Sequence, residues 1–199
     1  MPAISTFELL LKPQLPKSVT TRFPELKPLA RVVLQGYFLT VANLDDKPVS
    51  LSLTFVSRTP SLDRRNVIAI LDTQDQNGPL SIELQTDPAP ANRSTPPEGE
   101  LAKTKYTFTL NANDTGIVLV QPDAAKAELR DAANFEVRGY VELSLSSSNL
   151  QQTGRILVTA EHRATFYDGE NLDNRAALGE TNYPLPLASG GSLLELQRS

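Results

Sequence analysis

Apolar and polar residues alternate along most of this chain. Over residues 48–57, Val49, Leu51, Leu53 and Phe55 are separated by Ser50, Ser52 and Thr54, the period-two pattern of a strand with one buried and one wetted face. Comparable segments cover residues 31–43, 67–72, 80–85, 105–111, 117–121, 135–147 and 155–168. Turn-forming residues separate them at 44–47, 74–78 and 113–116; the second of these ends in Asn77-Gly78, hairpin chemistry. Regularly spaced strands with turns between them predict an all-β domain. One short helix is expected over residues 123–133, behind Pro122 and rich in alanine.

The two longest alternating segments, 135–147 and 155–168, predict an antiparallel hairpin. Phe135, Val137, Gly139, Val141, Leu143 and Leu145 share one face of the first, and Ile156, Val158, Ala160, His162, Ala164 and Phe166 one face of the second. Charge selects a register with Glu136 opposite Arg163 and Arg138 opposite Glu161, because a slip of two places like charges across from each other. That register also sets Gly139 against Ala160.

Proline punctuates the rest. Pro13, Pro16, Pro24 and Pro28 argue against helix and central strand, so residues 1–30 read as an extended arm. Pro88, Pro90, Pro96 and Pro97 mark a mobile loop over 86–103, long enough to suggest function or a domain edge. The expected organisation is a single domain over 31–185 and a tail over 186–199. The expected fold is an antiparallel β-sandwich of about eight strands, immunoglobulin-like or jelly-roll-like. The Cys-Trp-Cys core of true immunoglobulin domains is absent.

Composition narrows the chemistry. With no cysteine, no tryptophan and one histidine, the chain has no disulfide framework and no thiolate metal site or nucleophile. There are 19 basic and 23 acidic residues, a net charge of −4, and the basic residues form no stripe, which argues against nucleic acid as a partner. The N-terminal residues lack the basic start of a signal peptide and no apolar run spans a bilayer. The expected location is cytoplasmic, with export by another route left open.

Candidate sites are few. His162 is expected on an inward face without an assignable nucleophile or carboxylate, which suits a structural histidine better than a base. Asp168, Glu170 and Asp173 are candidate metal ligands in an oxygen-rich loop over 168–174. Calcium is the cation such a loop would take, although the spacing departs from an EF-hand. The loop with Asp72, Asp75 and Asn77 is a weaker version of the same idea. Tyr140 and Tyr167 fall on outward faces and are candidate interface residues. The apolar ends suit completion of the chain's own sheets; used instead on a neighbour's sheet edge, they would make Phe7, Leu9 and Leu11 interface residues. No Gly-x-Ser-x-Gly elbow or phosphate-binding glycine loop occurs. The expected function is a non-catalytic interaction or assembly module without cofactor, acting on a protein partner or on itself as a homo-oligomer. The alternative is a small-ligand or calcium-binding β domain.

Overall fold

The computed structural model describes residues 2–58, 62–73, 82–83, 85–86, 101–168 and 177–198. In chain order the strands are β1 (Ala3–Pro13), β2 (Val32–Asn43), β3 (Val49–Ser57), β4 (Val67–Thr73), β5 (Ile82–Glu83), β6 (Gln85–Thr86), β7 (Ala102–Leu110), β8 (Thr115–Pro122), β9 (Phe135–Leu145), β10 (Thr153–Tyr167), β11 (Ala177–Pro184) and β12 (Leu193–Gln197). Two six-residue helices, α1 (Lys17–Arg22) and α2 (Ala127–Ala132), and two 3-10 segments complete the described elements. The expectation of at most one short helix is therefore corrected. Pro16 and Pro24 flank α1 instead of interrupting it, so they bound a helix that they were expected to forbid.

All described strand pairs are antiparallel and join into one continuous twelve-stranded sheet, nearly closed and barrel-like. This replaces the expected pair of separate sheets. Two long strands organise it. β2 pairs along its whole length with β10, from Val32↔Tyr167 to Asn43↔Ile156. The other edge of β2 changes partner: residues 32–35 pair with β1, and residues 37–42 pair with β8. Likewise the outer edge of β10 is shared by β12 and β11. The sheet thus forks at Gly36. One branch runs β1-β9-β3-β7-β6 and the other β8-β4-β5. At the fork a Cβ on Gly36 would lie 2.9 Å from the Gln121 Cβ, so a bare backbone suits the crossing.

The two branches face each other across one apolar core. Phe7, Leu51, Leu53, Phe55, Val141 and Leu143 from the first meet Tyr37, Leu39, Val41, Val118 and Val120 around the second. Tyr37, Phe7 and Tyr106 all set their rings edge-on to Phe55, at 5.6, 5.0 and 5.9 Å between centroids, the favoured aromatic geometry.

The predicted hairpin between 135–147 and 155–168 does not form. β9 pairs with β1 and β3, and β10 with β2, β11 and β12. The charges used to set its register find other partners: Arg138 binds Glu8 and Glu136, and Arg163 binds Glu161 on its own strand. Gly139 does admit a close neighbour, but the neighbour is the Val56 backbone and not Ala160. The turns at 44–48, 111–114 and 146–152 are arches that carry the chain across the barrel instead of folding it back on its neighbour. Buried asparagines tie them together. Asn43 Nδ2 donates to the carbonyls of Lys47 and Asn111, both at 2.8 Å, and Asn149 Oδ1 accepts from Ser50 N–H at 2.9 Å.

Residues 3–13, expected within an arm, form β1 between β2 and β9. Pro13 stands at the strand's end, opposite Val32, where a missing N–H costs little. The C-terminal apolar residues also enter the sheet, with Leu194 opposite Ile156 and Leu196 opposite Gly154.

Candidate functional site

Where β1 leaves β2, its backbone loses its strand partner on that side while β9 stays paired on the other, and buried polar groups without partners are costly. Side chains supply the missing bonds. The Glu8 N–H donates to His162 Nε2 at 3.0 Å, and Gln35 Nε2 donates to the Glu8 carbonyl at 3.1 Å. The same Gln35 amide donates to the Glu8 carboxylate at 3.1 Å, and Arg138 closes on that carboxylate from β9. Tyr183 donates its hydroxyl to Gln35 Oε1.

His162 is 5 % exposed and stands between its cross-strand neighbours Tyr37 and Tyr183. Both rings meet it edge-on, at 6.3 and 5.5 Å. An acceptor at Nε2 requires the neutral imidazole with its proton on Nδ1. Burial lowers the His162 pKa, against a smaller upward pull from the Glu8 charge. Burial also raises the Tyr37 hydroxyl well above its ordinary value, against the lowering hydrogen bond from Ser5 at 2.8 Å. On Tyr183, burial and then the Glu8 charge act upward.

His162 thus has a carboxylate-bearing neighbour that its own strand does not reveal. The Nε2 lone pair is taken by a backbone amide, however, and the carboxylate is held by Gln35 and Arg138. The arrangement joins two branches of a sheet. Sequence patterning places His162 on the inward face but gives no sign of Glu8 or Gln35, since both depend on where β1 lies.

The outer faces of the two branches differ in chemistry. On β7-β3-β9 the cross-strand rows read Thr107–Ser52–Ser144 and Lys105–Thr54–Glu142. On β4-β8-β2-β10 one row reads Ile70–Leu119–Phe38–Glu161. Another, Thr115–Ala42–Leu157, continues to Leu193 on β12. Ile68, Ile70, Ile117, Leu119 and Phe38 are half-buried on this outer side, while Leu157 and Leu193 are 43 % and 49 % exposed. Beside them lies an open groove of about 460 Å³ lined by Leu34, Phe38, Gln121, Arg163, Thr165 and Thr181. The Arg163 guanidinium stacks there over the Phe38 ring at 4.3 Å.

On the polar side, the hydroxyls of Ser52 and Thr54 are buried with no hydrogen-bond partner among the described residues. Thr54→Val keeps the β-branched shape and removes a desolvated hydroxyl. We expect it to raise stability by about 1 kcal/mol, seen as a higher urea midpoint at unchanged slope.

The remaining candidates scatter. Phe7, Leu9 and Leu11 are at most 2 % exposed and lie in β1, within the chain's own sheet. Tyr140 on β9 and Tyr167 at the C-terminal end of β10 are half-buried. Asp168 directly follows β10 and is exposed. Glu170 and Asp173, like Asp75 and Asn77, lie outside the described residues, as do the turn at 74–78 and most of the loop over 86–103. Among the described residues no group of three or more metal-binding side chains stands together, and no helix is long and apolar enough to cross a membrane. Comparisons with protein-family models, with curated proteins and with solved structures find no match to this chain.

Proposed function

We propose that this protein is a non-catalytic assembly module that docks through the outer face of β4-β8-β2-β10-β12, and that the occupant is a second copy of the chain. The supporting observation is the asymmetry between the outer faces. An antiparallel sheet ordinarily keeps one face polar, as β7-β3-β9 does, whereas the outer side of this branch gathers Ile68, Ile70, Ile117, Leu119 and Phe38, with Thr40 and Thr159 between them and the Leu157–Leu193 pair. A cluster of apolar side chains on the outside of a sheet marks an interaction surface more often than a solvated one. Its borders carry both signs of charge, with Arg155 and Arg163 beside Glu161, Asp72 and Glu195. Such a border can meet a two-fold copy of itself without net repulsion. The committed Nε2 of His162 and the engaged Glu8 carboxylate favour the non-catalytic reading.

Sedimentation velocity over a wide concentration range tests this. The wild-type chain is expected to dimerise. Leu119→Lys is expected to weaken association at least about tenfold, the effect of roughly 1.4 kcal/mol at a buried contact, with little change in melting temperature. A wild-type chain that stays monomeric at every concentration, or a Leu119→Lys variant that associates as tightly, would contradict the proposal.

A further inference from the structure

A proton on His162 is incompatible with the bond that fixes β1 at the fork. The Glu8 N–H points at Nε2, and an imidazolium offers only donors, so protonation sets one N–H against another. The group is well placed to matter. β1 leaves β2 after Gln35↔Leu10, and from there its backbone is tied on that side by the His162 and Gln35 side chains.

We propose that His162 is a proton-operated latch: neutral, it holds β1 against the sheet at the fork, and protonation releases β1 there. The titratable and charged groups facing it are Glu8 from β1, Tyr37 from β2 and Tyr183 from β11, with Arg138 of β9 reached through Glu8. On β10 itself, Glu161 and Arg163 belong to the opposite face. The Glu8 carboxylate already takes Gln35 and Arg138, so it offsets an imidazolium only in part. Tyr37 and Tyr183 stay neutral through the acid range because burial moves both upward.

The direction of the pH effect follows. Burial lowers the His162 pKa in the folded chain, so the unfolded chain takes up a proton first, near an ordinary value of about 6.5. The latch contribution is complete above that pH. It declines as pH falls below it, until the folded imidazole is itself protonated.

Since the chain has a single histidine, its imidazole signals need no assignment. Nitrogen NMR of the wild-type protein, followed with amide exchange from neutral to acid pH, reads the latch directly. We expect the Nδ1–H tautomer at neutral pH. Between the ordinary imidazole value of about 6.5 and the midpoint observed in the folded chain, the protection of the Glu8 amide should fall about tenfold per pH unit and be lost below that midpoint, while amides of the β3–β7 pair remain protected. In His162→Gln, whose side-chain oxygen accepts without titrating, protection at Glu8 should be independent of pH. An Nε2–H tautomer at neutral pH, or a Glu8 amide still protected after the imidazole has titrated, would overturn the proposal. Both of those readings need only the wild-type protein.

Discussion

Gly139→Ala is expected to leave the chain largely unfolded at 37 °C. A Cβ at this position would lie 1.9 Å from the Val56 carbonyl oxygen and 2.9 Å from the Phe7 ring. The first atom is backbone in a central strand, paired on both sides, and it cannot rotate away. The second belongs to a ring packed against Phe55. Relief requires β9 to part from β3, which is the join that carries the first branch of the sheet. A loss of about 4 kcal/mol or more is expected, at the severe end for a single substitution and a large share of the 5–15 kcal/mol that holds a typical domain together. Gly179→Ala is the control: a Cβ there meets nothing within 4 Å among the described residues, and stability should change by no more than about 0.5 kcal/mol. Chemical denaturation of the two variants side by side checks the pair. A Gly139→Ala protein as stable as wild type would show that β9 does not lie against Val56.

Phe55→Ala carries the second large effect. Phe55 is fully buried and is the ring on which Phe7 from β1, Tyr37 from β2 and Tyr106 from β7 converge. The substitution removes the common partner of three edge-on contacts and opens a cavity between the two branches. We expect a loss of about 3–5 kcal/mol. Phe55→Leu restores most of the volume but none of the ring geometry, and should cost about 1–2 kcal/mol. Equal losses for Ala and Leu would mean that ring geometry, not cavity volume, carries the whole effect, contrary to this account. Tyr106 shows how closed this region is: burial pushes its hydroxyl up to about 12, against a smaller lowering by Arg64.

Faces are legible in this sequence where partners are not. Alternation correctly assigns Val49, Leu51, Leu53 and Phe55 to the interior, and does the same for Val137, Val141, Leu143 and Leu145 and for Ile156, Val158, Ala160 and His162. A period of two states which side chains point inward and says nothing about which strand lies alongside. The tight turns at 44–48, 111–114 and 146–152 have hairpin-like length, yet they cross the barrel because Asn43, Asp45 and Asn149 supply the bonds that a hairpin would make to itself. Charge pairing misleads for a related reason. Arg138 has Glu8 available on a strand 130 residues away in the chain, and such a long-range option is invisible to a comparison of two neighbouring segments. β1 is obscured by the prolines that follow it, although Phe7, Leu9 and Leu11 alternate as a buried strand should.

The apolar outer face does have a signal in the sequence. Ile117-Val118-Leu119-Val120 is apolar without alternation, and in an antiparallel sheet such a run means that both faces of the strand need cover. Val118 and Val120 take the core, and Ile117 and Leu119 are left outside. The fork residues Gln35 and Glu8 carry no such signal, since their roles arise only where two strands diverge.

The central claim is that one sheet forks on β2, with β10 along its other edge; the docking face and the His162 latch both depend on it. Proton–proton NOEs between backbone atoms of paired strands test it most directly. The account predicts contacts between Thr40 and Thr159 and between Leu9 and Val137. Contacts joining Glu136 to Arg163 and Arg138 to Glu161 would instead pair β9 with β10 and contradict it.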